Sequence, residues 1–175
     1  MKRKMMKTRS RLLILCMAVT LALVLAPAAG AAPQEPASGV WTWYSGGFDT
    51  ARPAADNLVF TGWELGLWTG TFQGSSFEPY KGTVHGKGSL NAEIWAELEG
   101  TVGDKSGTLV IKLTVLALPD KVMDGQWVIL GGTDGMAKAQ GQGGWRYAGD
   151  TTVVDADGVE WPASFADYWG KISVK

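Results

Sequence analysis

The chain has 175 residues with 16 Lys+Arg, 17 Asp+Glu, one His and one Cys, and a formal net charge of −1. Six of the basic residues and none of the acidic ones lie in the first 31 positions, so the remaining 144 residues carry ten basic against 17 acidic groups, a net charge of −7. Such an acidic domain is excluded as a binder of nucleic-acid backbones, which needs a Lys/Arg surface, and with no cysteine after Cys16 a disulfide framework or a Cys-ligated zinc centre is excluded too.

Residues 1–31 read as a signal peptide. Lys2, Arg3, Lys4, Lys7, Arg9 and Arg11 form a basic head, and Leu12 to Leu25 form an apolar run. At 14 residues the run is shorter than the roughly 20 needed to cross a bilayer. Pro27 ends it, and Ala29-Gly30-Ala31 supplies small residues for cleavage before Ala32. An uncleaved anchor is the alternative. Leu15 before Cys16 is too large for a lipid-modification site. The expected destination is periplasmic or extracellular, with membrane contact only through this segment during export.

Ala32 to Ser38 is Pro/Ala-rich and polar and reads as a tether, leaving residues 39–175 as one domain long enough to bury a core without covalent staples. Val40 to Tyr44 is a β-branched and aromatic strand, followed by a loop from about Ser45 to Asp56. Leu58 to Gln73 reads as one long strand. One face carries Leu58, Phe60, Gly62, Glu64, Gly66, Trp68, Gly70 and Phe72. Glycines at this spacing let a strand coil sharply or make room for a large neighbour.

Thr83-Val84 comes next, then Ser89 to Glu99, where Leu90, Ala92, Ile94, Ala96 and Leu98 alternate with an acidic outer face. Gly100 to Leu109 is a hairpin apex, and Leu109, Ile111, Leu113 and Val115 continue the inner face on the way back. Lys112 on this return strand is expected beside Glu97 and Glu99. Gly125 to Leu130, Gly144 to Tyr147, Thr151 to Val154 and Ser164 to Val174 complete about eight strands, with one helical turn at Met136 to Gln140 and a two-residue hairpin turn at Asp157-Gly158. Eight strands without helices leave exposed edges unless they close. The expected fold class is therefore all-β: a single antiparallel β-barrel of lipocalin-like shape.

The run Gly70-Thr71-Phe72-Gln73-Gly74, then Gly82-Thr83-Val84-His85-Gly86-Lys87-Gly88, resembles the early hairpin of the allene oxide cyclase-like barrels. Glu99 to Leu109, Gly125 to Ile129, Gly131 to Ala137 and Gly141-Gln142-Gly143 are similar to later parts of that family, so the resemblance covers about Phe60 to Tyr147. In particular it points to small bacterial members without an assigned function. It implies a barrel, and either a cyclase of flexible substrates or a scaffold guiding cyclisation. The cyclases' catalytic motif has no residue-by-residue match here, so no catalytic residue is carried across.

Glu64, flanked by Gly62 and Gly66 on the face of Trp68, is the first candidate. Facing inward, with Phe60, Trp68 and Phe72, it would be a carboxyl in an apolar cavity with a raised pKa, able to anchor a ligand or move a proton. Facing outward it would be solvated. His85, the single histidine, reads as a turn residue, and no metal or cofactor is called for. Asp155 to Glu160 reads as a hairpin turn, since the twelfth position of a calcium loop would be Ala166. Of nine tryptophans, Trp95 between Glu93 and Glu97 is the expected outer-face aromatic, and most of the others should pack the interior.

Three functions stay open at this point. One is a binding barrel for a small apolar or aromatic ligand. The second is a cyclase or isomerase assisted by Glu64, and the third is a cell-envelope interaction module, with self-association among its modes.

Overall fold

The computed structural model describes residues 33–175. Eight antiparallel strands follow one another around a closed ring: β1 (Glu35–Ala54), β2 (Asn57–Gly70), β3 (Phe72–Val84), β4 (Leu90–Val102), β5 (Lys105–Ala117), β6 (Asp124–Gly132), β7 (Gln140–Val154) and β8 (Glu160–Ser173). Every strand pairs with its sequence neighbours, and β8 closes on β1 from Glu35↔Ile172 to Tyr44↔Ala163. Closure gives each described strand a hydrogen-bonded neighbour on both sides, although β6 and β7 pair only from Asp124↔Arg146 to Val128↔Gln142. A short 3-10 turn (Asp134–Met136) links β6 to β7.

The alternation read in β4 and β5 holds. Ile94, Ala96, Leu98, Leu109, Ile111, Leu113 and Val115 all point into the barrel and are buried. The apex also falls as expected, with Val102 paired to Lys105 across a turn in which Gly103 adopts φ +60°.

Five boundaries differ from the sequence reading. Residues 35–38 are strand rather than tether, because β1 starts at Glu35 and pairs with β8. The loop expected from Ser45 is also strand, since β1 continues to Ala54 through a bulge between Tyr44 and Gly47. The single strand expected from Leu58 to Gln73 is two: Gly70, at φ +97°, turns the chain, and Phe72 opens β3. The last hairpin turns over residues 155–159 rather than two residues, with the Asp155 side chain accepting backbone N–H bonds from Asp157 and Val159. Gly144–Tyr147 and Thr151–Val154 belong to one strand, β7. The signal-peptide reading falls on residues 1–31, outside the described residues.

The two ends of the barrel are filled differently. At the end holding the β2–β3 and β4–β5 turns, Phe72, Trp127, Tyr168, Met136 and Ile172 pack with almost no exposure. There the Tyr168 hydroxyl donates to the Thr69 carbonyl (3.0 Å) and accepts from the Phe72 N–H (2.9 Å), pinning the β2–β3 turn to β8. Buried indole N–H groups are matched as well: Trp127 donates to the Trp169 carbonyl and Trp145 to the Thr114 carbonyl, each at 3.0 Å. The opposite end is less full, and the candidate site lies there.

Candidate functional site

The inward face of β2 is Phe60, Gly62, Glu64, Gly66 and Trp68, and that of β3 includes Ser76, Glu78, Tyr80 and Gly82. The two strands pair so that Glu64 stands directly opposite Glu78. The glycines make this face possible. A Cβ on Gly66 would collide with the Glu78 carboxyl and the Ser76 hydroxyl, and one on Gly62 would collide with the Tyr80 hydroxyl. Gly62 and Gly66 thus make room for the polar side chains of β3.

Glu78 is fully buried. Its carboxylate accepts hydrogen bonds from Trp41 Nε1 (3.0 Å to Oε1, 3.2 Å to Oε2) and from the Ser76 hydroxyl, which in turn accepts from Trp68 Nε1 (2.9 Å). Glu64 is half-buried and has Glu78 as its hydrogen-bonding partner. Burial pushes both carboxyls up, Glu64 to about 7 and Glu78 to about 8. Repulsion from Glu64 raises Glu78 further, while its Ser76, Trp41 and Trp68 neighbours pull in the opposite direction. The pair titrates as a unit, and near neutral pH it holds a proton.

Opposite Glu64 on the other side, β1 bulges. The register passes from Tyr44↔Leu65 to Gly47↔Trp63, so Glu64 faces the unpaired Ser45-Gly46 step. Ser45 adopts φ +43°, an uncommon conformation for a residue with a side chain. Tyr80 donates to the Gly47 carbonyl at 3.0 Å, tying β3 to the far side of the bulge. Burial, then Glu64, then Asp49 raise the Tyr80 pKa.

Above the carboxyl pair opens a cavity of about 190 Å³, bounded by Trp41, Trp43, Trp145, Phe60, Tyr80 and Phe48, with aliphatic groups of β4, β5 and Met123 on the far wall. The rings pack against one another: Trp41 and Trp43 at 4.6 Å between centroids, Trp41 and Trp145 edge-on at 5.4 Å, Phe48 edge-on to Phe60 at 5.8 Å. Phe48 is 72% exposed and forms the rim. Among the described residues Glu64 is the only carboxyl on the cavity wall, and no Lys or Arg lines it.

Of the four residues expected at a ligand site, Glu64 and Phe60 line the cavity. Trp68 and Phe72 do not. They lie in the packed part of the barrel, edge-on to each other at 5.7 Å, and Trp68 serves to hold Ser76. Glu78 was missed by the sequence reading, which left residues 74–82 without a strand. The signal was there: a hairpin turning about Thr71 sets Glu64 against Glu78.

His85 sits in the β3–β4 turn, where its Nε2 lies 3.0 Å from Asn91 Nδ2, as a turn residue should. Among the described residues no group of three or more His, Cys, Asp or Glu is placed to hold a metal. Trp95 does lie on the outer face, but it is half-buried beneath Lys81 (4.9 Å from the ring centroid) and Lys112 (5.7 Å). Trp169, at 49%, is the more exposed ring. Lys112 pairs with Glu93 (2.5 Å) rather than with Glu97 or Glu99, because Glu93 lies diagonally across β4–β5 and also receives Lys81 (3.1 Å).

No protein-family model and no curated protein sequence matches the chain. Among solved structures, the fold is similar to a protein of unknown function of the DUF3224 family from Shewanella oneidensis MR-1, with TM-score 0.55 and 10% identity over 82% of this chain and 98% of that one. A second match, at TM-score 0.42 and 12% identity over 83% of this chain and 94% of the other, is the pterocarpan synthase dirigent protein GePTS1. At 10% identity the likeness to the DUF3224 protein concerns the fold alone.

Proposed function

We propose that this protein binds a small apolar or aromatic molecule in the open end of its barrel. The observation that carries this reading is the cavity of about 190 Å³ walled by indole and phenyl rings, with one carboxyl at its floor. Apolar pockets with a few convergent polar groups are the usual form of small-molecule sites. An engineered apolar cavity of about 150 Å³ holds benzene, so this one suits a single ring with a short substituent. The basic and apolar stretch at residues 2–25 supports action outside the cytoplasm.

Native mass spectrometry of the exported protein, with tryptophan fluorescence alongside, tests the reading. A co-purifying small molecule that quenches Trp41, Trp43 or Trp145 supports it. A bare protein whose fluorescence is unmoved by a library of aromatic and apolar compounds overturns it.

One observation favours a second reading, a cyclase or isomerase of the allene oxide cyclase-like type. The Glu64–Glu78 pair holds a transferable proton beside an apolar chamber. It requires that Glu64→Gln abolish turnover while leaving ligand retention intact. An envelope interaction module is the third reading, supported by the exposed Trp161 and Trp169, and deletion of those rings should then release a partner.

A further inference from the structure

The aromatic walls and paired carboxyls together carry more than a general apolar preference. Glu78 is already supplied with donors by Trp41 and Ser76, whereas Glu64 has Glu78 as its hydrogen-bonding partner and a free approach from the cavity. The site therefore holds surplus acceptor capacity and no protein cation to match it. Around it stand Trp41, Trp43, Trp145, Phe60 and Tyr80, whose ring faces and edges form three sides of a cage. A carboxyl at the wall of an aromatic-lined cavity is suited to one chemical class above others, because a cation gains from both the carboxylate and the ring quadrupole.

We propose that the ligand is a small organic ammonium compound, a primary or substituted amine on a single-ring or short branched apolar body, with its nitrogen at Glu64 and its apolar part against the rings and the Val115–Met123 wall. This rests on the reading of the cavity as a binding site. Its size limits the ligand to roughly ten heavy atoms.

The proposal has a consequence in protons. The groups facing the carboxyl pair are, on β1, Trp41 and Trp43, with Asp49 acting on Tyr80; on β3, Ser76 and Tyr80; on β4, β5 and β7, only apolar or indole side chains. The adjoining groove between β1, β7 and β8 brings Asp150 as a further acid near the outer side of Glu64. With no protein cation among them, charge on the pair must be balanced by the ligand. A bound ammonium favours the ionised pair, so binding releases a proton and strengthens as pH rises through the neutral range.

The test uses phenethylamine, 2-phenylethanol and n-propylbenzene as probes, read by tryptophan quenching and calorimetry. At about pH 8.5 the amine should bind about tenfold or more tightly than either neutral probe, and the margin should shrink at about pH 5.5. Calorimetry at about pH 6, where the pair is still protonated, in two buffers of different ionisation enthalpy should show up to about one proton released per amine bound. Glu64→Gln, which keeps shape, should remove the amine's advantage over the neutral probes. Neutral probes binding as well as or better than the amine, or amine binding without proton release, overturns the proposal and leaves the general ligand reading standing. Failure of all three probes to bind at either pH overturns it together with that reading.

Discussion

Glu64 and Glu78 face each other directly across the β2–β3 ladder on the inside of the barrel. Like charges opposite one another destabilise a sheet, and burial penalises each charge separately. The fold tolerates the pair because it need not be doubly charged: one or both carboxyls keep a proton up to neutral pH. Four consequences can be measured.

The first concerns pH and stability. Both carboxyls have folded-state pKa values above their ordinary 4.5, about 7 for Glu64 and about 8 for Glu78. Between these limits the folded state binds more protons than the unfolded chain, so stability falls as pH rises. The contribution is fully present below about pH 4.5 and is lost through pH 7–8. Other carboxylates act in the opposite sense at low pH, so the comparison of variants isolates the pair. From pH 5 to 9, the wild-type Tm should fall relative to Glu64→Gln/Glu78→Gln by the equivalent of at least about 2 kcal/mol, roughly 6 °C or more. Parallel Tm curves for the two proteins would contradict the burial of the pair.

Single substitutions of Glu78 separate charge from hydrogen bonding. Glu78→Gln keeps an acceptor for Trp41 Nε1 and removes the charge, so at pH 9 it should be at least as stable as the wild type. Glu78→Ala leaves the Trp41 N–H without its buried acceptor and opens a void, with a cost of about 2–4 kcal/mol at pH 6 that shrinks toward pH 9, where the wild type must bury charge. Chemical denaturation at pH 6 and pH 9 distinguishes the two.

Gly66 provides a steric test. Gly66→Ala places a methyl group where the Glu78 carboxyl and Ser76 hydroxyl lie, so both side chains must shift away from the Trp41 and Trp68 N–H groups that bind them. The expected loss is about 1–3 kcal/mol. Gly131→Ala has open space and should stay within about 0.5 kcal/mol of the wild type. Equal effects at the two positions would contradict the close approach of β3 to β2.

Filling the cavity should separate binding from folding. Ala92 lines it from β4, and Ala92→Phe adds a ring to open space. Stability should change by no more than about 1.5 kcal/mol, while affinity for any cavity ligand falls by at least about tenfold. Calorimetric titration beside a thermal melt reads both quantities.

Much of the fold was legible in the sequence because β4 and β5 alternate cleanly: Leu90 to Leu98 and Leu109 to Val115 each place every second side chain in the core. Turn chemistry located the apex at Gly103. The departures cluster where one local signal masks another. Gly46, Gly47 and Pro53 read as loop, yet they sit in a bulged strand whose ladder partners β2 supplies. Pro36 reads as linker, but the closing contact with β8 is non-local and leaves no periodic trace. The candidate site was half legible. Glu64 stood out between two glycines, whereas Glu78 sits beside Pro79 in a stretch whose inner face is Gly, Ser and Glu rather than apolar. That face looks like a surface in one dimension and becomes an interior only when the turn at Gly70-Thr71 folds it onto β2.

The pairing of Glu35 with Ile172 also sets an order of events in folding. Seven of the eight strand contacts join neighbours along the chain and can zip as hairpins, whereas the eighth joins its two extremities. Bringing those ends together carries the largest loop-closure entropy, so the ring should seal last, after the hairpins have formed. Until then the carboxyl pair on β2 and β3 stands in a curled open sheet wetted on both sides, where neither group is desolvated. The proton chemistry of the cavity is thus created by the final step of folding, and a chain lacking its last strand should fold its hairpins yet titrate as ordinary surface carboxylates.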